Sequence, residues 1–121
     1  MRRLLALMVL LLAALPVPAL AVDPPYQAQM EKLAQMLGSL YFLNPLCKPS
    51  APDWRQQMAD LVSLDQPDES RQQRLYGAFN AGYVAYARLY RSCTQSAEEA
   101  LARLLIEAEA NARDIHAHYA E

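Results

Sequence analysis

The residues of this chain that could carry chemistry are few, and their spacing excludes most of it. His116 and His118 lie two positions apart near the C-terminus. On a helix that spacing turns them to different faces, so they cannot form the i, i+4 pair with which a zincin holds its metal. The acids are dispersed, and the doublets Asp68-Glu69 and Glu98-Glu99 fall where helices are expected to start. There the macrodipole accounts for them without acid-base work. The sequence contains neither a nucleophile elbow nor a glycine-rich phosphate loop. Cys47 and Cys93 are too far apart for a redox-active C-x-x-C. We therefore expect no catalytic residue and no metal site.

One arrangement could take a cofactor. In an up-down-up-down bundle the start of the first helix and the end of the fourth share one end of the molecule. Met30 could then approach His116 or His118, as in the Met/His ligation of b-type cytochrome bundles. Covalent haem attachment is excluded because there is no C-x-x-C-H. The plainer reading makes Met30 a core methionine and the histidines surface residues suited to a helix C-terminus. We expect no resident cofactor.

The elements that must position these groups are helices. Tyr76, Phe79, Tyr83, Tyr86 and Tyr90 recur at alternating spacings of three and four, and Cys93 continues the series. At about 100° per residue the five rings fall within roughly 80° of arc, flanked by Leu75, Gly82 and Leu89. We expect the chain to be organised around this stretch, residues 75–93, with Arg74, Ala81, Ala85 and Arg88 on the opposite face. Four of the five rings are tyrosines whose hydroxyls need partners. The seam is therefore either a core with hydroxyls at its edge or a partly open groove.

Residues 1–21 read as a cleaved secretory signal peptide: two arginines, an apolar run of about a dozen residues, two prolines and an A-x-A ending. The run is short of the roughly 20 residues that cross a bilayer. Residues 22–121 are then a single helical domain with no stable membrane anchor. Removing Arg2 and Arg3 leaves nine basic residues against thirteen acidic ones, a formal charge near −4. With the arginines scattered among acids, no basic stripe exists for nucleic acid or anionic lipid.

Four helices are expected. The first opens on Asp23-Pro24-Pro25, with Asp23 as capping acid, holds Tyr26, Met30, Leu33, Leu37 and Leu40 at heptad spacing, and ends at Asn44-Pro45. The second is capped by Ser50 or Asp53 and presents Trp54, Met58, Leu61 and Val62. The aromatic helix follows a turn at residues 64–68. The last starts near Ser96, whose spacing to Glu99 makes a capping box. The fold class is all-α, a small up-down-up-down four-helix bundle. That topology puts Cys47 and Cys93 at the same end, and in an oxidising compartment the pairing is unique. We expect a Cys47 to Cys93 disulfide.

Pro45-Leu46-Cys47, Phe79-Asn80-x-Gly82-Tyr83 and Tyr90-Arg91-Ser92-Cys93-Thr94 together resemble a family of small exported alphaproteobacterial helical proteins classed as a domain of unknown function. The resemblance spans roughly Tyr26 to Tyr119. It implies a place in the cell envelope and paired cysteines, and it brings no catalytic residues. Asn44 departs from it, since an arginine is usual before the Pro-Leu-Cys segment.

At the cysteine corner Tyr90 and Arg91 stand with Lys48 and Trp54, and Tyr83 and Tyr86 continue the seam. Trp, Tyr and Arg dominate interface hot spots, so these residues are the candidate partner-binding set. The alternative is that Arg91 binds carbonyls at the end of its helix and Trp54 fills the core. The small residues Gly77, Ala78, Ala81 and Ala85 would admit a partner helix or a second copy of the chain, or form a tolerant solvent face. The expected function is a non-catalytic periplasmic protein-binding module acting on a cell-envelope or peptidoglycan-remodelling process, its partner another envelope protein. A small-molecule or haem binder using the tyrosine seam is the alternative.

Overall fold

Met36, Leu37, Gly38, Ser39 and Leu40 are all buried. Five successive helical positions point to every side, so the helix that carries them is enclosed rather than laid against one neighbour. The computed structural model describes residues 22–119. The leader read at residues 1–21 lies outside the described residues. The elements are α1 (Gln27–Cys47), α2 (Trp54–Asp65), α3 (Glu69–Leu89) and α4 (Gln95–Tyr119). They form an all-α four-helix bundle in which α1 packs against each of the other three, most extensively against α3. The chain is thus organised around α1, not around the aromatic stretch at residues 75–93. The aromatic periodicity marks a helix, but α1 is buried beyond its own heptad positions, at Met36, Gly38 and Ser39 as well, and the heptad spacing does not show that enclosure.

Direction alternates as expected. At one end Tyr26, before α1, donates its hydroxyl to Asp65 at the end of α2 (2.7 Å), and its ring lies tilted against that of Tyr119 at the end of α4, with centroids 5.6 Å apart. At the other end the indole N–H of Trp54, opening α2, donates to Asn44 Oδ1 near the end of α1 (2.8 Å). There too Cys47 and Cys93 are joined, with Cα atoms 5.1 Å apart.

The α1–α3 crossing is closer than ordinary side chains allow. A methyl group at Gly38 would sit 1.8 Å from the Phe79 carbonyl oxygen, and one at Gly82 would sit 1.9 Å from that of Gln35. Each helix presses a bare backbone patch onto the other. Ser39 Oγ, buried beside them, lies 3.0 Å from Gln35 O and 3.2 Å from Gly82 O, bridging the two backbones. Mid-helix glycine costs about 1 kcal/mol of propensity relative to alanine, and here that cost secures the close approach. The core along the crossing is Leu40, Leu43, Leu75 and Phe79, joined from α2 by Met58 and from α4 by Leu101 and Leu104.

Several helix ends differ from expectation. The helix α1 does not stop at Asn44-Pro45 but runs through Pro45 to Cys47. A proline so near the C-terminus removes a single amide donor, the Lys48 amide still closes on Asn44 O at 2.7 Å, and the Asn44 side chain is anchored by its bond from Trp54. Asp23 does not cap α1, whose first turn has no side-chain cap; its carboxylate instead grips Arg74 of α3 through two contacts of 2.6 Å. Asp53 rather than Ser50 caps α2, accepting from the Gln56 amide at 3.0 Å. Thr94, not Ser96, caps α4, accepting from Ala97 N at 3.1 Å. The helix therefore starts two residues early, and the Ser96-Glu99 box is not used. Asp68 caps α3 through the Arg71 amide at 2.8 Å.

Candidate functional site

The aromatic seam is rotated from the expected face. The buried row of α3 is Arg71, Leu75, Phe79 and Gly82, so two residues read as flanking form the centre, while Leu89, the third, is 70% exposed. Tyr76 and Tyr83 fall at the margin, each 36% exposed, which leaves the hydroxyls in water. Between a closed core and an open groove, the seam is a core with wet edges. Tyr83 lies against Tyr41 at 5.5 Å and edge-on to Phe42 at 5.6 Å, and Tyr41 also meets Phe79 at 5.7 Å. That four-ring cluster staples α1 to α3.

Tyr86 and Tyr90 form a separate pair at 6.1 Å, both half-buried. Burial raises the Tyr86 pKa, and the neighbouring Tyr90 raises it further, with Arg103 and Glu107 of α4 also in range. The pair therefore faces α4 where α3 ends. Arg91 follows immediately, exposed and two residues from Cys93. Among the described residues it forms no ion pair and no hydrogen bond to the end of α3. Trp54 is not part of this group: it is bonded to Asn44 on a different side of α1 and borders the space between α2 and α4. Of the five candidate residues, three come together, namely Tyr86, Tyr90 and Arg91; Tyr83 and Trp54 stand elsewhere. Gly77, Ala81 and Ala85 form part of the outer face of α3, with open space above Gly77.

Met30 and His116 border one cleft of about 400 Å³. Met30 is a core residue, and His118 is engaged with its own helix, 2.9 Å from Asp114 O. No tyrosine of the α3 seam lines that cleft.

One polar cluster was not read from the sequence. Arg71, buried at the start of α3, donates to Gln27 Oε1 at 2.7 Å and to Asp65 Oδ2 at 2.5 Å, and its guanidinium lies 5.9 Å from the centre of the Tyr26 ring. Tyr26 donates to the other oxygen of Asp65, which raises the tyrosine pKa above its ordinary value. Three helix ends are thereby tied by one guanidinium. The sequence signal was the i, i+4 step from Arg71 to Leu75, which puts the arginine in the buried row.

No curated protein and no solved structure matches this chain. The family described as "Protein of unknown function (DUF2385)" matches residues 25–119, which takes in all four helices and both cysteines, and the chain belongs to that family.

Proposed function

We propose that this protein is an exported, non-catalytic binding module that recognises another protein of the cell envelope, in a process such as peptidoglycan remodelling. The observation that carries the reading is the Tyr86, Tyr90 and Arg91 corner. Two paired, half-buried rings and an exposed guanidinium lie on the stretch leading to Cys93, with Arg91 two residues and Tyr90 three residues from the disulfide. Rings already held by packing lose little freedom on association, and a guanidinium with no partner among the described residues keeps its donors for a partner outside, which suits such groups to anchor an interface. A disulfide of this kind suits an oxidising compartment, and the leader-like residues 1–21 and the resemblance to exported alphaproteobacterial proteins support the same location.

Five of the thirteen acidic residues are committed to the fold, which favours a binding role for them over a catalytic one. Asp53 and Asp68 cap helices, Asp23 and Asp65 are held by arginines, and Asp114 accepts from Gln29. A carboxylate committed in this way is not poised for proton transfer.

The test is affinity capture from envelope extract with the oxidised domain of residues 22–121, beside Tyr90→Ala and Arg91→Ala versions, followed by measurement of direct binding to the purified captured protein. The reading expects one envelope protein retained by the first and lost by both variants at unchanged helical content. Equal retention by all three removes the corner as the site, and turnover of an envelope substrate by the domain alone overturns the non-catalytic reading.

A further inference from the structure

The helices α2 and α4 both lie on α1 but do not pack along one another. Between them two lobes open, of about 400 and 440 Å³, sharing Leu33, Leu61 and Ala112, so that they form one elongated cleft. Its floor is the side of α1 bearing Met30, Leu33 and Leu37. Most polar groups on its walls are already spent. The Tyr26 hydroxyl and Asp65 bind each other, Asp65 also holds Arg71, the Trp54 indole N–H binds Asn44, and Glu109 pairs with Arg113. What they leave to an occupant is apolar wall, with the exposed His116 and Tyr119 at one mouth.

We propose that this cleft binds a single-chain aliphatic amphiphile of the fatty-acid or long-chain-alcohol class, its chain along α1 and its polar head at the His116 and Tyr119 mouth. Size selects this occupant over a helix. Ten residues of helix make a cylinder about 15 Å long and 10–12 Å across, on the order of 1,200–1,700 Å³. The whole cleft holds at most about 840 Å³, half to seven-tenths of that, and falls within the roughly 300–1,000 Å³ of small-ligand sites. Length agrees as well. From the level of Tyr26 to that of Leu37 the floor runs about 16 Å, and an extended chain advancing ~1.2 Å per atom covers that with some thirteen atoms. This site is on a different side of α1 from the Tyr86 to Arg91 corner and does not depend on the partner reading.

Trp54 is the only tryptophan in the sequence and borders the cleft, so its emission reports occupancy directly. The experiment titrates the oxidised domain with dodecanoate and with dodecanol below micelle-forming concentrations. Ala112→Phe is run in parallel because Ala112 is exposed, lines both lobes and can fill their junction without disturbing the core. Gly77→Ala, on the open face of α3, serves as the control. The expected result is a saturable, one-site shift of Trp54 emission with at least one probe, weakened about tenfold or more by Ala112→Phe and unchanged by Gly77→Ala. A non-saturable response, no response, or the same affinity in all three proteins overturns the proposal. So does an amphipathic helical peptide that saturates the Trp54 signal where neither probe does.

Discussion

Replacing Gly82 with alanine should unfold this protein more readily, although alanine is the better helix former. The added methyl would meet the Gln35 carbonyl oxygen at 1.9 Å and Ser39 Oγ at 2.9 Å. The oxygen belongs to the backbone of α1 and cannot swing aside, so α1 and α3 must part by about 1.5 Å to reach ordinary contact at 3.4 Å. Parting them loosens Phe79 and Leu75 against α1 and removes the Ser39 bridge to Gly82 O. Overpacking costs about 1–3 kcal/mol and more where backbone must move, and the lost hydrogen bond about 1 kcal/mol. The propensity gain returns about 1 kcal/mol, for a net loss of ~2–3 kcal/mol. In a domain of this size that lowers Tm by about 10–20 °C. Gly77→Ala makes the same change on the same helix where nothing lies within 4 Å, and should gain ~0.5–1 kcal/mol. Urea denaturation of the three oxidised proteins, followed by circular dichroism, measures both effects. A Gly82→Ala protein as stable as Gly77→Ala would refute the close-crossing argument.

Three further perturbations probe other parts of the fold. Arg71→Met leaves the Asp65 carboxylate, only 10% exposed, without its cation and should cost about 3 kcal/mol; adding Asp65→Asn should recover part of that loss in the same denaturation assay. Replacing both cysteines with serine should cost on the order of 4 kcal/mol by the chain-entropy argument, read as a shift in urea midpoint against the oxidised parent. Asp23, held by Arg74, has its pKa lowered below the ordinary carboxylate value of 3.8. A lowered folded pKa contributes stability that is present above the unfolded value and lost as pH falls through the folded one. Asp23→Asn should therefore flatten the acid limb of a Tm-against-pH curve below about pH 4 and leave its shape near neutrality unchanged.

The parts of this fold legible in the sequence were those that repeat or punctuate. Heptad spacing from Met30 to Leu40, the turn at residues 64–68, and two cysteines at one end of an alternating bundle are local signals, and each matches the structure. The illegible parts were decided by partners across the bundle. Asn44-Pro45 has the form of a helix end, yet the Lys48 amide still closes on Asn44 O, and the Asn44 side chain is taken up by the Trp54 indole ten residues away. Asp23 looks like a cap until Arg74 is brought to it from 51 residues on. The seam is read from its rings, whereas the buried row runs from Arg71 through Leu75 and Phe79 to Gly82, a residue whose importance is the side chain it lacks. Mid-helix glycines at 38 and 82 were the available clue to that crossing. For the candidate site, Tyr86, Tyr90 and Arg91 are local to one another and came together; Trp54 and Tyr83 required knowing which side of α1 each helix covers.

The most direct test of the binding reading is photo-crosslinking from position 90. A photoreactive phenylalanine analogue replaces Tyr90 in the full chain expressed in its native host, and a second protein carries it at Gly77 on the open face of α3. Irradiation followed by mass spectrometry of the adducts should give one discrete envelope protein from position 90, lost when Arg91→Ala is added, and none from position 77. The same adducts from both positions, or none from position 90 in an oxidised and correctly folded protein, would contradict the claim that the disulfide-fixed corner is where this protein meets its partner.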